Sequence, residues 1–269
     1  MSTDTIAVLD RALSVLRVLA LRPEGYSLPE LVEELGLPKS TVRRFLVTLA
    51  GHGFADYDEE RQRYTLGVLI LGLAAGIAQQ NVIAVTLHPA LERLQRETQE
   101  TASLWIRVRF SALCLSSIES PQFVRTVSPL GRSIPLYASA HSKVLLTQLS
   151  DAELEEYLAA TDLQALTPQT ITDPAAVRQE IREAREKGYA VSIGEVNDDA
   201  VGIAAPVTDQ TGRIIACLSI TAPAHRVDDR RLPTLISSVL DAAAMGTARI
   251  TGSRHPASAT TPRSSSGRP

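Results

Sequence analysis

The sequence is poor in the residues that most often announce chemistry. Its 269 residues include two cysteines, Cys114 and Cys217, too few and too far apart for a disulfide framework or a CxxC zinc site. The five histidines, at positions 52, 88, 141, 225 and 255, show no metal-ligand spacing. Aromatic residues make up 4% of the chain, with a single tryptophan, so Leu, Val, Ala and Ile must fill the core. No apolar run reaches the roughly 18 residues a membrane span needs. The opening MSTDTIAVLDRA lacks the basic-then-apolar pattern of a secretion signal. A cytoplasmic, reducing location without membrane attachment is expected. A net charge of −3 excludes a polyanion binder over the whole surface, so any affinity for nucleic acid must be local. Enzyme signatures are missing too: there is no GxSxG, HExxH, P-loop or GxGxxG. Ser142 and Lys143 are adjacent rather than spaced as SxxK, and Asp198-Asp199 and Asp228-Asp229 read as solvated turn or cap pairs. No catalytic residue, metal or cofactor is expected.

What is present is well patterned. Residues 5–20 place Ile6, Leu9, Leu13, Leu16 and Leu19 at helical spacing, and Pro23 and Gly25 then break the run. Ser27 with Glu30 forms a capping box ahead of a short helix carrying Leu31, Val32 and Leu35, and Gly36 ends it. Pro38 opens a third helix, to about Ala50, that buries Val42, Phe45, Leu46 and Leu49. The acidic stretch at Asp56, Asp58, Glu59 and Glu60, flanked by Phe54, Tyr57 and Tyr64, reads as a hairpin wing.

Residues 66–98 return to helical spacing, with interruptions expected near Asn81 and at His88-Pro89. Their first half, LGVLILGLAAGIA, is nearly all apolar yet too short for a bilayer, and its small residues suit packing against a second copy. Beyond Thr101, SLWIRVRF and ALCLSSIE alternate as strands, and YAVSI, VGIAAPVTD and RIIACLSIT add three more. The last two are joined by an Asp209-Gln210-Thr211-Gly212 turn. Helices are expected over SAHSKVLLTQL, DAELEEYLAA, the segment from Asp173-Pro174 to Gly188, and about 228–250. The result is an α+β chain of two domains: 5–67, a linker helix over 68–98, and 99–251. A Ser/Thr/Pro/Gly-rich tail over 252–269 has a disordered composition, and its Arg254, Arg263 and Arg268 read as solvated.

The strongest local signal lies in LPELVEELGLPKSTVRRFLVTL. A short helix, a tight glycine turn and a second helix present Lys39, Ser40, Thr41, Arg43 and Arg44 outward, the layout of a helix-turn-helix whose second helix enters the major groove. Residues 1–67 hold 8 Lys and Arg against 10 Asp and Glu, so positive charge is concentrated on that one face. Arginine reads guanine bidentately, whereas Ser, Thr and Lys more often fix the phosphate register. Arg61 and Arg63 in the wing suit a phosphate or minor-groove contact. The bland alternative is an ordinary helix with solvated charge.

These runs, with RALSVLRVLA, GHGFADYD and RYTLGVLILGL, resemble the winged-helix domain of IclR-type transcriptional regulators. GRSIPLYASAHSKVLLTQL, GYAVSIGE, IAAPVTDQTGRIIACLSIT and AHR resemble that family's effector-binding domain, in order, over about residues 5–250. The resemblance implies a GAF-like α/β domain with a mixed or antiparallel sheet that binds a small metabolite, expected to be an organic acid. It also implies a homodimer, or a dimer of dimers, on a palindromic double-stranded operator. Carried over by position, it lines the effector pocket with Phe123, Thr126, Ala140, His141, Ser192, Gly202, Ser219 and Thr221. Backbone amides around Ala140 and His141 at a helix N-terminus would receive an anion. Ser192 and Gly202 stand where some members carry an acidic and a thiol side chain. Ser219 and Thr221 are expected to share a strand face, with Cys217 turned to the other as a core thiol, like Cys114. His141 is either a ligand contact or a packing residue, and Glu195 either faces the pocket or ends a strand.

The composite reading is a regulator whose operator affinity responds to a bound metabolite. Two alternatives differ in kind: a constitutive DNA binder whose second domain only dimerises, and a thiol-based redox regulator acting through Cys114 or Cys217.

Overall fold

The structure, a computed structural model, describes residues 6–80 and 82–252. The chain divides into two compact units on either side of the Asn81/Val82 junction. The expected break at Asn81, the start of the first helix at Thr5, and the tail from residue 253 onward lie outside the described residues.

In the first unit, α1 (Ala7–Leu19) is followed by α2 (Leu28–Leu35) and α3 (Lys39–Gly51). The capping box is formed: Glu30 N donates to Ser27 Oγ at 3.4 Å, and Ser27 N donates to the Glu30 carboxylate at 2.6 Å. Gly36 ends α2 in the left-handed region (φ 60°), a position with no steric penalty for glycine, and so sets the sharp turn into α3. Val15, Leu19, Leu31, Val42 and Leu46 close into one core with Tyr26 and Ala55. The wing is an antiparallel hairpin of β1 (Ala55–Asp58) and β2 (Arg63–Leu66). Tyr26 and Tyr64 exchange backbone hydrogen bonds of 2.9 and 2.7 Å, which ties the lead-in to α2 to the wing. In α4 (Leu69–Gln80) the apolar Leu71 and Leu73 are exposed, as is Val68 just before it.

The second unit is a three-layer stack. Its six-stranded sheet has the order β5-β4-β3-β8-β7-β6. These are β3 (Thr101–Val108), β4 (Ser111–Ile118), β5 (Ser133–Pro135), β6 (Ala190–Ile193), β7 (Ala200–Thr208) and β8 (Ile214–Pro223), and every pairing is antiparallel. One sheet face carries α5 (Val82–Thr98) and α9 (Arg231–Gly252), packed on Leu104, Leu218 and Ile220. The other carries α6 (Ala140–Leu146), α7 (Asp151–Ala160) and α8 (Pro174–Lys187), packed on Trp105, Ala204 and Cys217. The period of two along each strand serves both faces, the pattern of a sheet covered on each side.

Two local expectations are corrected. Pro89 does not interrupt its helix: α5 runs unbroken, because Leu87, Ala90, Leu91 and Leu94 are all buried on the sheet and hold the turn together. Cys217 shares its strand face with Ser219 and Thr221 rather than opposing them, as residues two apart on a strand must.

The N-terminal end of β3 and the C-terminal end of β8, paired side by side, are braced from outside the sheet. Glu100, 1% exposed, accepts from the guanidinium groups of Arg226 and Arg231 at 2.5–3.0 Å, and Arg226 also donates to Val124 O. Sequence reading gave no sign of this cluster, whose carboxylate is more than a hundred residues from its arginines.

Candidate functional site

The basic face of α3 is open. Lys39, Ser40, Arg43 and Arg44 are exposed and Thr41 half-buried. Among the described residues none of the three cations forms an ion pair. Val42 and Leu46 point inward, so the helix buries one face and leaves its cations on the other. Thr41 and Arg44 also edge a groove of about 560 Å³ beside α1, walled by Leu9, Phe45 and Leu49.

The two wing arginines have different surroundings. Arg61 is well exposed and lies 3.8 Å from Asp58. Arg63, expected to face DNA, is instead turned into the domain: its guanidinium donates to Gly25 O at 2.6 Å and to Glu30 at 3.2 Å. Glu30 is the capping-box carboxylate, so Arg63 locks the wing to the start of α2. The Ser27 amide and hydroxyl, and then Arg63, hold the Glu30 carboxyl below its ordinary pKa.

A second site lies in the C-terminal unit, where a cavity of about 40 Å³ opens between the sheet and the start of α6. Its floor is a cross-strand row: Ser192 on β6 pairs with Gly202 on β7, which pairs with Thr221 on β8. A β-carbon on Gly202 would lie 2.8 Å from Ser192 Oγ, so glycine keeps the floor open. Thr126, Ser128 and Arg132 close one side, and Glu195 and Asn197 the other.

Trp105 and His141 form a flat wall, their rings stacked 3.8 Å apart and inclined by 10°. His141 Nε2 is 2.9 Å from Ser139 Oγ. Burial foremost, and then the Arg132 charge, push the His141 pKa down to about 3, so the ring is neutral at pH 7. Ser139, with φ 82°, caps α6: its hydroxyl accepts from Ser142 N at 3.4 Å. Ser139 N donates to Glu195 Oε2 at 3.3 Å. The other oxygen of Glu195 meets Lys143 Nζ at 2.5 Å, and Lys143 also reaches Glu180 at 3.1 Å. Lys143 is fully buried and Glu195 nearly so.

This geometry sorts the expected pocket residues. Thr126, His141, Ser192, Gly202 and Thr221 line the cavity. Phe123 does not: it is 98% exposed and points to solvent. Ala140 is buried behind the floor, 3.7 Å from where a Gly202 β-carbon would sit. Ser219 is buried beside the cavity rather than on it, its hydroxyl 3.0 Å from Ser103 Oγ, which in turn accepts from Trp105 Nε1. At the start of α6 the Ser139 hydroxyl engages the Ser142 amide and the Glu195 carboxylate the Ser139 amide; neither takes up the amides of Ala140 and His141, where the anion niche was expected. Glu195, for which two placements were open, faces the cavity. Sequence reading missed Trp105, Ser128, Arg132 and Asn197. The single tryptophan was the one signal available, since a lone Trp on an alternating strand marks a large buried wall.

Neither thiol is poised to react. Burial pushes Cys114 up to about 12 and raises Cys217 further, and both side chains are buried.

Two family models match the chain: the IclR helix-turn-helix domain over residues 8–59 and the bacterial transcriptional regulator IclR C-terminal domain over 75–245. The HTH-type transcriptional regulator BhcR of Paracoccus denitrificans is 34% identical over 238 residues, covering 88% of this chain and 85% of its own. A crystal structure of an IclR transcriptional regulator from Alicyclobacillus acidocaldarius superimposes with a TM-score of 0.76 at 29% identity, over 91% of this chain and 99% of that one. An IclR homologue from Microbacterium hydrocarbonoxydans, crystallised with 4-hydroxybenzoate, shares the fold (TM-score 0.73, 23% identity, 91% of this chain and 100% of that one). Both family models and the full-length relatives agree with the winged helix and the two-faced sheet. The chain belongs to the IclR family of DNA-binding transcriptional regulators.

Proposed function

We propose that this regulator binds a palindromic operator through α3 and changes its operator affinity when a small organic acid enters the C-terminal cavity. In this reading the winged-helix domain spans residues 5–67, the linker helix 68–98 and the effector domain 99–251. Lys39, Ser40, Thr41, Arg43, Arg44 and Arg61 touch DNA. Thr126, His141, Ser192, Gly202 and Thr221 border the effector; that the Microbacterium homologue was crystallised in complex with 4-hydroxybenzoate supports a small-acid ligand. The exposed apolar residues of α4 favour association of two copies, the arrangement a two-fold operator requires.

One observation carries the ligand reading over the constitutive one. The cavity is lined by polar and ionisable groups rather than filled with apolar side chains, as a purely structural core would be. Coupling follows from linkage: a ligand preferring one arrangement of the subunits shifts operator affinity by about 5- to 150-fold.

The test is binding of the purified protein to DNA upstream of its own gene, with and without a panel of small acids. Arg43→Ala and Arg44→Ala should each weaken operator binding by about 5- to 150-fold. An acid that tightens or loosens wild-type binding supports the ligand reading. A protein bound equally with every compound favours the constitutive one, and variants that bind like wild type refute the role of α3.

A further inference from the structure

A second cleft in the C-terminal unit, of about 250 Å³, lies between the β3–β4 turn and α7. Val108 pairs with Ser111, so the turn consists of two residues, Arg109 and Phe110. Arg109 takes φ 54° there, a conformation that favours glycine, and Phe110 at the tip is 61% exposed. The Phe110 ring stands 6.0 Å from that of Tyr157 on α7, tilted by 30°. Tyr157 is 3% exposed, and with Leu136 and Leu149 it backs the cleft. Trp105 borders the cavity beside α6, whereas Arg107, two residues further along the same strand face, borders the cleft. No residue borders both.

The rim of this cleft carries charge of both signs. Arg107, Arg109 and Glu156 border it and are exposed, and among the described residues none of the three side chains forms a hydrogen bond or ion pair. Glu153 lies on the same rim but is committed, since its carboxylate accepts from Ser150 N at 2.8 Å and Ser150 Oγ at 2.7 Å in the capping box of α7. Charges spread over a polar surface would be solvated and idle. Here they ring an apolar floor beside an exposed aromatic side chain, the composition of a ligand site. A plain anion would face Glu156, and a plain cation would face two arginines. A molecule with one charge of each sign meets neither penalty.

We infer that the cleft between the β3–β4 turn and α7 binds an apolar α-amino acid as its zwitterion, with Arg107 and Arg109 on the carboxylate and Glu156 on the ammonium. A guanidinium fork matches a carboxylate, and a lone carboxylate matches an ammonium. The side chain of the ligand lies on Phe110, Tyr157, Leu136 and Leu149 and removes the exposed face of Phe110 from water. At about 30 Å³ of liquid volume per water-sized group, the cleft holds about eight such groups, the bulk of a leucine-sized molecule. The site is independent of the effector cavity, so it stands or falls apart from the function proposed above.

The experiment is calorimetric titration of the full chain with L-leucine and L-phenylalanine, and with three compounds that each lack one feature. N-acetyl-L-leucine has no ammonium, L-leucinamide no carboxylate and glycine no side chain. L-leucine or L-phenylalanine should bind the wild type, and each of the three incomplete compounds should bind at least about fivefold more weakly. The paired variant Arg107→Met, Arg109→Met and the variant Glu156→Gln should each lose about fivefold or more in affinity for the amino acid. These side chains make no bond among the described residues, so the unliganded variants should melt with the wild type; if the paired variant does not fold, Glu156→Gln carries the comparison. Binding of neither amino acid overturns the inference. So does any incomplete compound that binds as tightly as L-leucine, or variants that bind the amino acid like wild type, since the ligand would then sit elsewhere.

Discussion

Lowering the pH from 8 to 5 should weaken the C-terminal unit through one side chain. His141 titrates at about 3 in the fold against 6.5 for the free side chain, with burial as the main cause and Arg132 as the second. A base with a depressed folded pKa binds its proton in the unfolded chain first. Its contribution is therefore fully present above pH 6.5 and is lost as the pH falls from 6.5 towards 3. At pH 5 the unfolded imidazole is charged and the folded one is not, a difference of 1.5 units or about 2 kcal/mol. Urea unfolding followed by fluorescence of the single tryptophan, Trp105, which stacks on His141, reads the effect directly. The midpoint should drop by about 1 M between pH 8 and pH 5 in the wild type. In His141→Gln, which has no group titrating there, the drop should be much smaller. Parallel curves for wild type and variant would refute the reasoning, since the pH dependence would then originate elsewhere.

Other consequences are equally direct. Lys143→Met leaves Glu195 buried without its cation and should cost about 3–5 kcal/mol, lowering the Tm of the C-terminal unit by roughly 6–20 °C; adding Glu195→Gln should restore part of it, and a loss below about 1 kcal/mol would count against the pair. Arg63→Ala should lower the melting point of the N-terminal unit while leaving the salt dependence of DNA binding unchanged, because its guanidinium is spent on Glu30 and Gly25 O; Arg61→Ala should reduce the slope of log affinity against log salt by about 0.9 without loss of stability. In native protein at pH 7.5, iodoacetamide should leave Cys114 and Cys217 unmodified while alkylating both in urea; rapid native labelling would reopen a redox role that their burial and raised pKa values argue against.

What could be read from the sequence was local. The Ser27/Glu30 box, the Gly36 turn, the Asp173 cap and the Gly188 stop all formed as their residue types dictate, because each is set within four or five residues. The other five strands of the sheet followed from alternation, whereas β5, three residues long, offers too little pattern to announce itself. Pro89 shows the limit of local rules, since a proline that ends an isolated helix is tolerated where four side chains on the next turns are buried on a sheet. Phe123 shows it again: position in a family pattern does not fix which way a loop side chain turns, and this one faces water.

The site was legible in outline for the same reason and incomplete for the opposite one. Ser192, Gly202 and Thr221 sit on strands, where alternation fixes their face once the register is set. The groups that give the cavity its charge pattern come from loops, where no period fixes their direction: Arg132 lies near His141, and Glu195 meets Lys143 from far away in sequence. Such pairings also carry the consequence that matters most for function. Glu195 borders the cavity, accepts from Ser139 N with one oxygen and from Lys143 with the other, and through Lys143 reaches Glu180 on α8. The cavity is therefore wired to two helices through one buried carboxylate. Removing either the cation or the anion should disturb the cavity wall and the helix packing together, whereas a change at exposed Phe123 should disturb neither.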